Sequence, residues 1–335
     1  MGLPRYIAQM IVAEHTYRPI TGTIVSYGNN TVHLSPAEAV ELLATFSIRP
    51  RIERFEIDRE TYGRESLGRD VITMRSFFQS FSDAELKIVD VSPYEGAELI
   101  FDLNEAVPPA LHGIADFVYD GSVLDNLFNP AMGLRNASAL AKADGRIVMV
   151  NDWTKNLGRG SYVSMSPDWY LDYFSANNFA DAKVLLCKSD RRRPQDRVRI
   201  FEWEPVGFNS ERFPSFDQAV RYFFDGDLGQ CTFRKDGARF LCFKGDDKDY
   251  VLSFSRCDDG EDVRLFEDIV IATVAEKGSG STFEVNPSQL VYRDGQRTLQ
   301  YMISCLKFMR SARRYPSKEY RPLAVEVRDL GLFEV

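Results

Sequence analysis

The 335-residue chain has only three histidines, five cysteines and no apolar run approaching the ~20 residues a bilayer-spanning helix needs. Its cysteines (Cys187, Cys231, Cys242, Cys257 and Cys305) are odd in number, widely spaced and never in C-x-x-C register. That excludes a disulfide framework and a zinc-finger ligand set, and it fits reduced thiols in a cytoplasmic protein. The N-terminal apolar run, Ile7 to Ala13, is cut by Glu14 and His15, which is too weak for a secretory signal, and Tyr6 breaks the Met-Gly myristoylation pattern. Positive charge is also short: 41 basic against 49 acidic side chains give a net −8. A general nucleic-acid binder, which neutralises phosphates with lysine and arginine, is therefore not expected. A glycine-rich phosphate cradle is missing as well, because Gly28 stands alone with no G-x-G-x-x-G around it.

What is present is an alternation of short apolar runs with helical stretches from Thr21 to about Cys187, the pattern of an α/β fold around a mostly parallel sheet. Strands are predicted at Thr23–Tyr27, Leu86–Val91, Ala97–Asp102, Asp116–Asp120, Arg146–Val150 and Lys183–Cys187. Ser35-Pro36-Ala37-Glu38 reads as a capping box that starts a helix running to about Phe46. Further helices are predicted near Val123–Ala141, Asp168–Ala176 and Arg297–Arg313. Residues 47–83 read as an insertion, poorly periodic apart from Phe77, Phe78 and Phe81. Residues 206–266 read as an inserted acidic α+β subdomain between a core over 1–205 and a tail over 267–335. The tail opens on Ile269–Val274, apolar enough for a buried strand. The phenylalanine patch and the C-terminal helix are the candidate pieces of a homo-oligomer interface.

Ligands of open α/β sheets bind outside the carboxyl ends of the strands, where the strand order reverses. Those ends carry Gly28-Asn29, Asp90-Val91, Asp102-Leu103 and Asp120-Gly121. An acid closing the second strand suits ribose hydroxyls, and Asp102 with the Leu103 backbone suits an adenine edge. A nucleoside layout without a pyrophosphate cradle points to S-adenosylmethionine rather than a dinucleotide.

The same residues carry a resemblance. Asp90-Val91-Ser92-Pro93-Tyr94-Glu95-Gly96-Ala97 and Asp102-Leu103-Asn104-Glu105 match D-V-S-x-Y-E-G-A and D-L-N-E segments. Gly121 to Asn129 aligns with G-T-L-E-H-V-F-N, and Gly158 to Pro167 with a G-H-G-F-Y…S-P loop. Ala275-Glu276-Lys277, Pro287, Gln289 and Tyr292-Arg293 follow an A-E-K…P-x-Q…Y-R tail. In these segments the chain resembles a bacterial group of class I S-adenosylmethionine-dependent methyltransferases. The resemblance implies a Rossmann-like seven-stranded sheet with helices on both faces, Ile269–Val274 supplying the seventh strand. It further implies methyl transfer to a hydroxyl, or less readily an amine, of a glycan, sugar or small-metabolite acceptor.

Residues able to serve as base are Asp125, Asp152 and His33, and the acceptor wall is expected from Trp153, Arg159 and Tyr162. The chain departs from the group's pattern where Asp125-Asn126 stand for Glu-His, Arg159 for His and Asn29-Asn30 for Arg-Gln. Each change removes a group that could take a proton or position a cofactor. Two other readings therefore stay open: a non-catalytic methyltransferase-like module that binds a partner, and a different nucleotide-using Rossmann-like enzyme. No metal site is expected.

Overall fold

The computed structural model describes residues 2–152, 161–190, 198–203, 240–244, 249–253, 267–288, parts of 300–311, and 328–333. Most of the expected 206–266 subdomain, together with Trp153 and Arg159, lies outside the described residues.

Among the described residues, eleven strands are defined. They are β1 (Thr23–Tyr27), β2 (Glu85–Asp90), β3 (Leu99–Ile100), β4 (Ala115–Gly121), β5 (Ala141–Asp152) and β6 (Asp181–Asp190), followed by β7 (Val198–Trp203), β8 (Phe240–Lys244), β9 (Asp249–Ser253), β10 (Glu267–Glu276) and β11 (Arg328–Phe333). Nine of them form one sheet in the order β11-β7-β6-β10-β5-β4-β1-β2-β3, while β8 and β9 pair separately as an antiparallel hairpin. Strands β3, β2, β1, β4 and β5 are mutually parallel. β10, which contains the expected Ile269–Val274 strand, runs antiparallel between β5 and β6. The molecule is thus a Rossmann-like α/β fold, its sheet extended past β6 by β7 and β11. The order of the first five strands reverses between β1 and β4, and that is the switch point.

Side chains alternate strictly across the sheet, and both faces are covered. Ile24, Phe117, Tyr119, Val148, Val150, Leu185 and Ala272 enter one core with helices α1 (Arg5–Tyr17), α2 (Pro36–Thr45) and α3 (Met74–Gln79). Val25, Val118, Ile147, Met149, Leu186 and Ile271 enter the other with α4 (Pro130–Leu140) and α5 (Pro167–Ala176). The N-terminal apolar run is therefore a buried helix. The phenylalanine patch is core, with Phe77, Phe78 and Phe81 in edge-on contact beneath α1. Among the described residues, no helix is long and apolar enough to cross a membrane.

The capping box forms as the sequence implies: Ser35 N–H donates to Glu38 Oε2 at 2.7 Å and Glu38 N–H to Ser35 Oγ at 3.3 Å. The element after β4 differs from expectation. A single turn at Leu124–Asn126 comes first, and α4 starts only at Pro130, behind the Asn129 cap. Proline at the first helical position and asparagine before it set that boundary. β3 is also shorter than expected, because only Val89 and Asp90 of β2 pair with it.

Among the described residues, the buried hydroxyl of Tyr119, fully enclosed at the centre of β4, has no hydrogen-bond partner. It sits where a Cβ on Gly121 would fall, so residue 121 must be glycine while residue 119 is tyrosine. Removing an unsatisfied buried hydroxyl lifts a desolvation penalty of ~1–3 kcal/mol, offset in part by the space it leaves. Tyr119→Phe is expected to raise stability by about 1 kcal/mol, read as a higher urea midpoint. An unchanged or lower midpoint would refute the assignment.

Candidate active site

The loops at the carboxyl edge of the parallel strands are tied to each other by side chains. After β1, Gly28 turns the chain with a φ of +70°, a conformation that favours glycine, and its N–H donates to Val89 O of β2 at 2.9 Å. Asn29 Nδ2 donates to Glu95 O at 3.0 Å, linking the loop after β1 to the loop after β2. Tyr62 N–H donates to Glu95 Oε1 at 2.7 Å, so the 47–83 segment reaches the same loop. Burial is the main cause holding the Glu95 carboxyl above its ordinary range.

Asp90 closes β2. It is half-buried and accepts from Ser92 N–H through Oδ1 at 3.3 Å, which leaves its other oxygen open among the described residues. Val91 beside it is 66% exposed. Asp102 is exposed and occupied differently: its Oδ1 accepts from both Asn104 N–H (2.8 Å) and Asn104 Nδ2 (2.9 Å). Asn104 Oδ1 in turn accepts from Asn129 N–H at 2.9 Å, so Asp102 anchors the start of α4 through Asn104. Leu103 is buried, its carbonyl held by Asn136 Nδ2 of α4.

The densest polar network lies at the ends of β4 and β5. Asp120 is fully buried; Oδ1 accepts from Val123 N–H (2.5 Å) and Leu124 N–H (3.4 Å), and Oδ2 from Asn151 Nδ2 (2.9 Å). Asn151 Oδ1 accepts from Asp125 N–H at 3.2 Å. Asp125 Oδ2 accepts from Asp152 N–H at 3.0 Å, and Asp125 Oδ1 from Asn126 Nδ2 at 2.9 Å. Burial pushes the Asp120 carboxyl up to about 7, with the Asp125 carboxylate adding to it, against three N–H donors that favour the ionised form. Burial raises Asp125 as well.

This network places Asp120 and Asp125 as parts of the frame. Asp125 is 0% exposed and Asp152 3%, so neither carboxylate opens onto solvent in this arrangement. Gly121 lies between them, buried in the same turn. Gly133 of α4 lets that turn pack closely, because a Cβ there would press at 2.6 Å on Leu124 and Leu127 Cδ1. His33 follows β1, but its N–H donates to Leu3 O at 2.9 Å and its ring lies against Gly2, placing it beside the N-terminal segment. Tyr162 is brought to the β4 turn: its N–H donates to Asp125 O at 2.9 Å while its side chain stays 71% exposed.

Two residues of this edge were not anticipated from sequence. Asn151 carries no local signal, because its partners are residues 120 and 125 and become neighbours only through the sheet. Phe128 did carry one: an aromatic in a turn immediately before Asn-Pro, too close to the helix start to be buried by it. Among the described residues, no cluster of His, Cys, Asp or Glu could hold a metal ion.

No protein-family model and no curated protein sequence matches the chain. Solved structures do show a loose likeness. The citrinin polyketide synthase CMeT domain is 9% identical, with a TM-score of 0.32, over 54% of this chain and 47% of its own length. This chain thus spans about half of that one. The YcgJ protein of Bacillus subtilis is 10% identical, with a TM-score of 0.36, over 82% of this chain and 99% of its own. A Burkholderia thailandensis 1,6-didemethyltoxoflavin-N1-methyltransferase, solved with 1,6-didemethyltoxoflavin and S-adenosylhomocysteine, is 10% identical, with a TM-score of 0.27, over 82% and 78%. Likenesses this distant leave the function to be argued from the chain's own site.

Proposed function

We propose that the protein is an S-adenosylmethionine-dependent methyltransferase acting on a hydroxyl, less readily an amine, of a sugar or small-metabolite acceptor. The observation that carries this reading is the open Asp90 oxygen at the end of β2, beside exposed Val91 and across from the Gly28 turn at the switch point. A carboxylate there can accept from two neighbouring hydroxyls of a ribose, and Val91 offers an apolar surface to a purine. Nothing in the sequence supplies a pyrophosphate cradle, which favours a nucleoside without phosphates.

When bound, the cofactor would be held by the Asp90 carboxylate and the Gly28 turn and would supply an electrophilic methyl group for transfer to the acceptor heteroatom. The chain's own contribution is to hold two reactants in line, the main source of acceleration in such a displacement. The loops after β1, β2 and β3 form the cofactor half of the edge, and those after β4 and β5 the acceptor half. Asp120 and Asn151 fix the turn that carries Asp125, and Asp125 fixes the backbone of Asp152 and Tyr162. Asp125, Asp152 and His33 are the candidates to receive an acceptor proton.

Calorimetric titration with S-adenosylmethionine and S-adenosylhomocysteine tests the reading. Both are expected to bind, and Asp90→Ala to weaken each at least tenfold, since a charge-assisted hydrogen bond is worth ~1.5–3 kcal/mol. No binding at millimolar concentration, or a melting temperature raised by NAD or a sugar nucleotide in its place, would sink the claim.

A further inference from the structure

The acceptor half of the edge carries two bare aromatic rings on fixed backbone. Phe128 is 86% exposed and Tyr162 71%, and their rings meet edge-on, with centroids 6.4 Å apart and planes at 80°. Exposed aromatics are common on mobile loops, but these two are pinned at the main chain. Phe128 lies between buried Leu127, a member of the α4 core, and Asn129, whose N–H is held by Asn104 and whose side chain caps α4. Tyr162 N–H and Val163 N–H both donate to Asp125 O, at 2.9 and 3.3 Å, and Met165 beyond them is buried. The chain fixes both rings in water, where they do nothing for the core.

We infer that Phe128 and Tyr162 form the binding platform for the acceptor, and that the acceptor is a planar aromatic molecule bearing a hydroxyl. The inference rests on the methyltransferase reading and narrows its substrate class. Two rings set edge-on present one free face and one edge, which matches the offset-stacked and edge-to-face contacts a third flat ring prefers. Proton chemistry points the same way. The acceptor-side carboxylates Asp125 and Asp152 are buried beneath this platform. A sugar alcohol needs a strong base in contact with it, whereas a phenol, with a pKa near ~10, gives its proton to solvent far more readily. A platform of exposed rings over enclosed acids thus suits a phenolic hydroxyl better than an aliphatic one.

The test uses 2-naphthol as the planar probe and cyclohexanol and methyl glucoside as controls, each titrated against the 335-residue protein without cofactor and followed by ligand-observed NMR. Binding of 2-naphthol is expected, with the controls at least tenfold weaker. Phe128→Ala and Tyr162→Ala should each weaken 2-naphthol about five- to tenfold, and Phe128→Trp should keep it. S-adenosylmethionine affinity, measured on the same variants, should stay unchanged, because both rings are carried by the segments that follow β4 and β5 and the substitutions leave the Asn104–Asn129 backbone contact in place. Equal binding of 2-naphthol by wild type and both alanine variants, or controls that bind as well as 2-naphthol, would overturn the platform. Cofactor binding without naphthol binding also overturns it and leaves the methyltransferase reading standing. Naphthol binding lost in the two variants but without any cofactor binding supports the platform and sinks that reading instead.

Discussion

Arg146→Met is expected to lower the stability of the protein by about 3–5 kcal/mol, with a urea midpoint that falls at constant slope. Arg146 lies in β5 beneath the last turn of α1, and the Arg146–Glu14 pair is buried on both sides. Its Nη1 donates to Glu14 O at 2.7 Å and to Glu14 Oε2 at 3.3 Å; its Nη2 donates to Arg18 O at 2.7 Å and Pro19 O at 3.1 Å. The guanidinium also lies 5.6 Å over the Phe117 ring. One cation thus serves the carbonyl end of a helix, where positive charge is favoured, and a buried carboxylate. Methionine matches much of the volume and none of the donors, so three carbonyls and the Glu14 carboxylate lose this partner at once. Arg146→Met combined with Glu14→Gln should recover part of the loss, since it removes the charge that the single change strands. His15 supplies a second readout. Burial first, and then Arg146, hold its pKa below the ordinary value, so its NMR titration should move upward in the variant. A single variant within 1 kcal/mol of wild type would show that the pair stabilises nothing, as is seen for some buried ion pairs.

Asp120→Ala is expected to cost roughly 3–5 kcal/mol, because Val123 N–H, Leu124 N–H and Asn151 Nδ2 would lose a shared buried acceptor together. The pH dependence is more specific. The native carboxyl titrates at about 7 while the unfolded chain keeps the ordinary value, so the folded state binds the extra proton. The associated stability is fully present below about pH 4 and is lost as pH rises through about 7, and it is on the order of 4 kcal/mol from the shift alone. Wild type should therefore weaken between about pH 4 and 7, and Asp120→Asn should remove most of that slope. Its own amide would oppose Asn151 Nδ2, so the variant starts from a lower plateau. A wild-type curve that is flat over this interval, or an Asn variant with the slope intact, would refute the assignment.

Local chemistry was legible in the sequence wherever it depended on neighbours in the chain. The Ser35-Pro36-Glu38 box, the alternation of β1, β4 and β5 and the acids closing β2 and β4 all fell where their spacing put them. What escaped depended on distant partners. Glu14 looked like an interruption of an apolar run and is instead the buried partner of a residue 132 positions away. Asp102 read as a partner for an adenine edge, and it also anchors α4 through Asn104. Asp125 read as a candidate base and sits fully buried beneath the turn it supports. For Glu14 and Asp125 a donor far along the chain claimed the acceptor, and for Asp102 the distant part is the link from Asn104 to α4; one-dimensional spacing holds no record of such partners.

The antiparallel seat of β10 has a consequence for anyone shortening this gene. Trp203, the last residue of β7, pairs with Val184 at the start of β6, whereas Glu267, the first of β10, pairs with Asp190 at its end. The polypeptide leaves on one rim of the sheet and re-enters on the other, two strands across. With ~3.3 Å per residue along a strand and ~4.8 Å between strands, that gap is about 22 Å. A tight two-residue hairpin cannot splice out residues 204–266; a spacer of about seven extended residues is the shortest that closes the ring. The stretch that looks like a removable ornament is also the riser that delivers β10 to the rim beside Asp152, and a truncation has to rebuild that climb.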